Sequence, residues 1–545
     1  MEENSNPQVL IVGGGPTGMV MAIELRRRGI ECRIVERRSG PGHTSRAITV
    51  HARTMEILDD MGLAPRFLQG GVLNEGYIFN FRDSDLKPRL DYTRLPTRFP
   101  FVCMFNQNET EKILRDHLEL DLGLPIEWDT ELTTVSEDGA GELTVTLEHL
   151  SEDPKRAEIM YPQWVVACDG LHSPTREYLG IKYSGVEYEG LVMQMIDARL
   201  ENFEGSDNLL HYYMSKDTFL MIGKLAGPNH RVLVSAQGDP EEIAKSDLIT
   251  PIVGDDLPDV VVGEPEWKTT WEIWIRKAEQ YRKGHVFLCG ESGHIHSVAG
   301  GQGWNVCMQD AYNLGWKMSL VVQNKAPESL LDTYEQEREP VSEQVIAGSS
   351  KIHEIILSHG SGLEDRMALT ETDGWNDNAV ARISGLSYNY QGAIDLPVGC
   401  NTDAEPAIGE RVPDVVISPY VRLHELFAHT RFTMLALLDQ IEGAQLEAAT
   451  AVYELLERGY PGVIRVELIA PARPYPWPGL LPIEDPQALV AKSLNAAAGG
   501  ELILVRPDGY VGCRTDLDSV GVMDQFLQSI LIKATQGTAI RLSQI

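Results

Sequence analysis

Residues 8–37 read QVLIVGGGPTGMVMAIELRRRGIECRIVER, and this stretch decides the fold. Val9 to Val12 is an apolar, β-branched run, the pattern of a buried parallel strand. Gly13-Gly14-Gly15-Pro16-Thr17-Gly18 follows at once and fits G-x-G-x-x-G. Met19 to Arg28 has helical periodicity and stops at Gly29. Cys32 to Val35 is a second strand, closed by Glu36-Arg37. In this β-α-β unit Gly13 permits the tight turn, Gly15 lets backbone approach a pyrophosphate, and Gly18 lets helix and strand pack closely. The helix N-terminus offers unpaired N–H groups and a positive dipole end to the phosphates. Glu36 is expected to accept hydrogen bonds from an adenosine ribose. Strand, loop, helix and acid together predict a dinucleotide site.

The rest of the chain is built outward from that unit. Its 545 residues allow two or three domains with full cores. A net charge of −33 excludes a nucleic-acid partner, because phosphate would be repelled. Seven cysteines with no C-x-x-C fit a reducing compartment and give no metal framework. The N-terminus, Met1 to Gln8, is polar and acidic and is not a signal peptide. No apolar run approaches the roughly 18 residues of a membrane span. These features predict a cytoplasmic protein.

Further along, Tyr77 to Phe81 predicts a strand, and a helix is expected up to about Leu120 with Asn108 as its N-cap. Tyr161 to Cys168 predicts a strand ending in Asp169-Gly170, a sharp turn whose carboxylate can brace backbone N–H groups. Short runs between Leu191 and Ala236, with Trp267 to Ile275, predict an antiparallel sheet inserted between halves of the nucleotide fold. Such a sheet is a natural wall for a substrate pocket. Val286 to Gly290 returns to a buried strand, then comes a second glycine-rich stretch, Ala299 to Asn305, and a helix. Its N-terminus is again a site suited to negative charge. A break or kink is expected at Pro340. Beyond the Gly/Pro-rich boundary Pro397 to Pro413 lies a smaller α/β unit.

Several separated stretches carry a resemblance: GGGPTG with Glu36, ACDG at 167–170, CGESGHIHSVAGGQGWNVCMQDAYNLGWK at 289–317, NQNETEKILRDHL at 106–118 and LLDTYEQEREPV at 330–341. Together they resemble the class A flavoprotein monooxygenases, the family of para-hydroxybenzoate hydroxylase and phenol hydroxylase, with the strongest likeness to the pentachlorophenol 4-monooxygenase branch. The resemblance covers nearly the whole chain. It implies an α/β fold: a Rossmann-type FAD-binding domain in two parts, residues 1–185 and 281–395, an inserted antiparallel sheet, 186–280, and a thioredoxin-like C-terminal domain, 396–545. That last domain lacks C-x-x-C, so packing or dimer contact is its expected role rather than redox chemistry.

The resemblance also implies the chemistry. FAD is held extended, with NADPH or NADH as reductant and an aromatic substrate beneath the ring. Gly13, Gly15, Gly18, Glu36 and Arg37 would hold the ADP half. Arg46 and Gln107 would reach the phosphate–ribityl region, supported by Arg115. Asp169 belongs to the family's Asp-Gly motif, and Gly303 and Asn305 would give backbone contacts to the flavin ring. Tyr77, Tyr212 and Arg231 are the pocket candidates, with Arg231 stabilising a phenolate and Tyr212 relaying its proton. No metal site is implied, and a homodimer is. The implied reaction is hydroxylation of a phenolic or polyketide-type aromatic ring through a flavin C4a-hydroperoxide. Baeyer–Villiger-type oxygenation of a polyketide-like ketone, and a flavin-binding protein that has lost turnover, stay open beside it.

Departures from the family pattern accompany these likenesses. Where the family has Gly-Asp-Ala-Ala-His, this chain has Gly290-Glu291-Ser292-Gly293-His294. Glu291 keeps the charge but adds a methylene. Ser297-Val298-Ala299 stands where a proline is usual, and Trp304 where a smaller Met is usual.

Overall fold

A computed structural model describes residues 6–42, 47–215, 218–296, 300–357, 363–441, 443–472 and 482–534. The strand Val9–Val12 lies inside a five-stranded sheet, flanked by Trp164–Ala167 on one side and Cys32–Val35 on the other, parallel to both. Val286–Leu288 extends the parallel set and Arg282–Lys283 closes the edge antiparallel. The core strands are buried on both faces, which is why their sequences are continuous apolar runs rather than alternating ones. The strand predicted over Tyr161 to Cys168 is thus Trp164–Ala167, and the Asp169-Gly170 turn follows it.

Backbone contacts group the chain into two units. The first comprises Met1–Leu95, Phe99–Tyr312 and Arg338–Leu386. It holds the parallel sheet and an eight-stranded sheet. The eight-stranded sheet is wider than the sequence predicts. Its order is His294–Ile295, Trp267–Ala278, Tyr183–Ala198, His230–Gln237, Phe219–Lys224, Leu209–Met214, Gly76–Phe81 and Arg89–Asp91. Gly76–Phe81 comes from the first part of the chain and pairs in parallel with Leu209–Met214, with Leu210 opposite Tyr77 and Tyr212 opposite Phe79. One face packs a core of Tyr77, Phe79, Met193, Met195, Tyr212 and Met221.

Two local expectations are corrected. The helix near Asn108 spans Gln107–Asp116 and its N-cap is Asn106, which makes no side-chain cap bond. The helix Asp332–Leu357 runs unbroken through Pro340. No helix among the described residues is long and apolar enough to cross a membrane.

The second unit comprises Pro96–Arg98, Asn313–Glu337 and Ser387–Ile545. Its sheet runs Ile483–Glu484, Ile464–Ala470, Phe432–Leu437, Glu501–Val505, Val511–Asp516. The first three strands are parallel and the last two antiparallel, the mixed topology of a thioredoxin-like domain. Helices Ala444–Gly459 and Val520–Ile530 supply Val452, Leu456, Phe526 and Leu527 to its core. A fully buried charge cluster lies within this unit. Glu337 accepts from Lys317 Nζ at 2.7 Å and from Arg506 Nη1 at 2.7 Å, and Asp508 takes the other side of Arg506. With charges this well paired, burial is tolerated.

Candidate active site

The first glycine loop is shaped by backbone. Gly13 N–H donates to Val35 O at 2.8 Å, tying the loop to the second strand. A Cβ on Gly18 would lie 1.9 Å from Gly13 O, and one on Gly13, whose φ is +110°, 2.3 Å from Cys168 O. At Gly15 a Cβ would meet nothing within 4 Å. Gly15 therefore faces open space in the cleft, while Gly13 and Gly18 are held by close approach. The helix Pro16–Arg26 starts with Pro at its first turn and has no side-chain cap. Its leading N–H groups stay available to an anion. The adjoining cleft of about 240 Å³ is walled by Gly13, Gly15, Glu36, Arg37 and Asp169.

Glu36 does more than the sequence predicts. Its Oε2 accepts the Gly14 N–H at 2.8 Å and its Oε1 accepts the Arg38 N–H at 3.0 Å. Burial alone would push its pKa up, but the Arg38 side chain and these N–H donors outweigh it and hold the carboxyl below its usual value. Glu36 thus braces the loop as well as lining the cleft. Arg38, which the sequence reading passed over for its exposed neighbour Arg37, is the partner that keeps it charged. Asp169 accepts the Thr175 N–H at 3.1 Å through Oδ2, and its buried Oδ1 has no partner among the described residues. Burial raises its pKa against the bonds from Ser173 and Thr175.

A larger cavity of about 520 Å³ shares Gly15, Cys168 and Gly170 with this cleft. Gly300, Gly301 and Gly303 of the second glycine stretch line it. That loop is held by side chains. Thr49 Oγ1 donates to Gly301 O at 2.9 Å and His51 Nε2 to Gly300 O at 3.0 Å. Asn305 Nδ2 donates to Thr49 O at 2.8 Å and to Gly301 O at 3.0 Å, while its Oδ1 accepts the His51 N–H at 3.0 Å. Trp304 Nε1 donates to Thr49 O at 2.7 Å. The sequence reading missed Thr49 and His51, which lie some 250 positions upstream of the loop they hold. Burial lowers the His51 pKa to about 4, against the bonds to Gly300 and Gly301, so its ring is neutral at pH 7.

A second buried network stands behind the helix Gly303–Val322. His294 Nε2 lies 2.6 Å from Asp310 Oδ2, and Arg338 Nε donates to Asp310 Oδ1 at 2.6 Å. Burial pushes the Asp310 pKa up, yet Arg338 and His294 overcome it and hold the group as a carboxylate.

The pocket candidates separate. Tyr212 lines the cavity with Met193, Met221, Leu233 and Trp271. Its hydroxyl makes no hydrogen bond among the described residues, and burial raises its pKa, so it is a neutral phenol able to donate. Tyr77 packs against Tyr212 with rings tilted, at 5.4 Å between centroids, but lies outside the cavity wall. Its hydroxyl comes within 3.5 Å of Gly300 O, behind the loop. Arg231 is placed differently from its expected role. Its guanidinium has no exposure and is bidentate to Asp197, at 2.7 Å from Nε and 2.7 Å from Nη2. It forms no part of the cavity wall: it shares the sheet face of Leu233 but lies two residues further along the strand, where Asp197, opposite it on the neighbouring strand, takes its guanidinium.

The remaining candidates are distributed as follows. Gln107 lines the cavity, accepts the Ala47 N–H at 3.2 Å and donates to Glu111 at 2.9 Å. Arg115 is half-buried on the same helix, near Glu111, away from both cavity walls. Glu291 lines the cavity and is exposed. Asn305 is buried and acts through its side chain on the loop, while the helix that starts at Gly303 leaves its first N–H groups without intrahelical acceptors. Arg46 and Ser297-Val298-Ala299 lie outside the described residues.

These residues fit an extended flavin dinucleotide. Two hollows share Gly15, Cys168 and Gly170 in their walls, a helix N-terminus faces each, and Asp169 Oδ1 is a buried acceptor without a partner among the described residues. Comparison with known proteins agrees. The family described as FAD binding domain matches residues 6–349. The chain is 38% identical to the pentachlorophenol 4-monooxygenase of Sphingobium chlorophenolicum, over 97% of this chain and 98% of that one. The structure of the anhydrotetracycline hydroxylase from Streptomyces rimosus matches with a TM-score of 0.73 and 27% identity, over 96% of this chain and 99% of that one. A ternary complex of aklavinone-11 hydroxylase with FAD and aklavinone matches with a TM-score of 0.76 over 96% and 100% of the two chains, and at 24% identity it speaks for the fold alone. The chain belongs to the FAD-binding-domain family of flavin monooxygenases, and it is a FAD-dependent monooxygenase.

Proposed function

We propose that this enzyme hydroxylates a phenolic or polyketide-type aromatic ring, using NADPH or NADH as reductant. The observation that carries the reading is one cavity walled at one end by both glycine loops and at the other by Met193, Met221, Leu233 and Trp271, with the uncommitted Tyr212 hydroxyl among them. When bound, reduced FAD supplies the activation of O2 that such a reaction requires. The chain's own residues do the rest. The apolar strand faces hold a flat ring and exclude water. Tyr212, neutral at physiological pH, donates a hydrogen bond to the substrate oxygen and orients the ring. Tyr77 and the Thr49–His51–Asn305 set hold the loop that would face the flavin.

Arg231 is assigned a positioning role in this reading. Its ion pair with Asp197 fixes adjacent strands of the sheet. The relatives' substrates, a polychlorinated phenol and polycyclic polyketides by their names, support the aromatic class. The dimer and the cytoplasmic setting belong to the same reading, supported by the family and by seven free thiols.

The test is a screen of phenols and polycyclic phenolic ketones for stimulated NADPH and NADH oxidation, with product masses measured. A gain of one oxygen on a ring carbon is expected. Insertion beside a ketone would indicate the Baeyer–Villiger reaction, and no stimulated turnover with any compound would overturn the reading. Tyr212→Phe is expected to raise KM and lower product formed per NAD(P)H consumed, about tenfold for the loss of one hydrogen bond to substrate, with FAD still bound.

A further inference from the structure

In the second unit's sheet, Val511–Asp516 is an edge strand. An edge strand presents unpaired N–H and C=O groups and must be covered or blunted. Here the segment 397–412 covers it. Gly409 N–H donates to Val511 O, Val511 N–H to Glu410 O and Asn401 N–H to Arg514 O, each at 2.8 Å. Arg514 Nη1 adds a bond to Pro406 O at 2.9 Å. The Asn401–Arg514 bond sets the register, and that register brings Cys400 beside Cys513, with the sulfurs 3.4 Å apart.

The two thiols are unequal. Cys513 is buried in the core behind the sheet, whereas Cys400 is partly exposed. The hydrogen bond from Cys513 lowers the Cys400 pKa against the effect of burial. The same contact and burial push Cys513 up. By contrast, burial alone pushes Cys103 up to about 12. The accessible sulfur is therefore the one favoured as thiolate, and the thiolate is the nucleophile.

We infer that Cys400 and Cys513 are a peroxide-oxidisable dithiol whose disulfide fastens the 397–412 segment to the sheet edge. Cys400 attacks one oxygen of hydrogen peroxide, the O–O bond breaks, a sulfenic acid forms and the other oxygen leaves as water. Cys513 then attacks the Cys400 sulfur, the S–O bond breaks and a second water leaves. In sum two thiols give two electrons, and hydrogen peroxide becomes two waters. Hydrogen peroxide is the by-product of any flavin monooxygenase that consumes O2 without oxygenating its substrate, so this enzyme meets the oxidant at its source. The closed loop spans 113 residues, long enough that the cross-link restricts the unfolded chain strongly.

The test uses the full chain with FAD bound, reduced with dithiothreitol, desalted, exposed to hydrogen peroxide, then denatured and alkylated. The expected result is a loss of two titratable thiols from seven. One cross-linked peptide pair should contain Cys400 and Cys513, two hydrogens lighter than the reduced pair. Dithiothreitol should restore both thiols, and the oxidised protein should melt at a higher temperature than the reduced one. Cys513→Ser changes a core residue, so the reporting variant is Cys400→Ser, in which peroxide should leave Cys513 alkylatable. Recovery of Cys400 as a sulfinic acid without cross-link, or of both cysteines fully alkylated after peroxide is consumed, overturns the inference. Neither outcome bears on the substrate screen, because no substrate is present.

Discussion

The two glycine loops line one cavity but are held in opposite ways. In the first, the obstacle at Gly18 is the Gly13 carbonyl and at Gly13 the Cys168 carbonyl, both main chain. In the second, the atom nearest a Cβ on Gly301 is the Thr49 hydroxyl, at 2.2 Å, and the ties come from the Thr49, His51, Trp304 and Asn305 side chains. A loop fixed by backbone writes its constraint into its own sequence. A loop fixed by distant side chains leaves it elsewhere in the chain. The two should therefore break differently.

The largest effect is expected at Gly18. Gly18→Ala sets a methyl against a carbonyl that cannot move without unravelling strand and helix, an overpacking cost of about 3 kcal/mol or more. The variant should lose FAD and melt at a clearly lower temperature. Gly15→Ala is the paired control. Its methyl enters open cleft, so the apoprotein should melt as wild type while FAD affinity falls. If Gly15→Ala lowers apoprotein stability as much as Gly18→Ala, the main-chain account of the first loop fails.

Next in size is the pH response of the second loop. The His51 pKa is lowered to about 4 in the folded chain and is about 6.5 when unfolded. Below pH 6.5 the unfolded chain takes up a proton that the folded one refuses. The contribution is therefore fully present above about pH 6.5 and is lost as pH falls toward 4. The span corresponds to about 3 kcal/mol. Urea midpoints of wild type should fall between pH 7 and pH 4.5 more steeply than those of His51→Gln, which keeps a donor near Gly300 O but does not titrate. Parallel curves would remove His51 from the network.

Asn305→Ala comes third. It removes the donor to Thr49 O and Gly301 O and leaves the His51 N–H without its acceptor. A cost of about 2 kcal/mol is expected from the stranded His51 N–H and the two lost bonds, Thr49 O and Gly301 O each keeping one donor. FAD affinity, read by flavin fluorescence on titration, should weaken while the first loop stays formed.

This contrast also explains what could be read from residues alone. GGGPTG sits between an apolar strand and a periodic helix, so local spacing revealed it, and Glu36 at the end of the next strand confirmed the unit. The identity of the Glu36 partner was not legible, because whether Arg37 or Arg38 turns inward depends on the strand's exit. Thr49 and His51 carried no local signal: a Thr before a helix looks like any other, and their function exists only where the chain returns some 250 residues later. Arg231 misled for a related reason. It lies on a strand whose neighbours do face the cavity, but its side chain points to Asp197, and only the pairing of His230–Gln237 with Tyr183–Ala198 shows it. Tyr77 was placed correctly on a strand, yet that strand's parallel partner, Leu209–Met214, could not be found by spacing.

The smallest effect, and the finest probe of the second loop, is Trp304→Phe. The indole N–H donates to Thr49 O, which also accepts from Asn305 Nδ2, so the carbonyl keeps one donor when the indole is gone. An acceptor with two lone pairs that loses one of two partners is not stranded, and the expected cost is about 1 kcal/mol. Phe retains most of the apolar wall that Trp304 gives the cavity. The loop should hold, and any change should appear in the fraction of NAD(P)H consumption that yields product rather than peroxide. Combining Trp304→Phe with Asn305→Ala strips Thr49 O of both donors. That pair should cost more than the sum of the single changes, because only then is a carbonyl left without either donor. Simple additivity would show that the two donors act on the loop independently and that Thr49 is not the shared anchor.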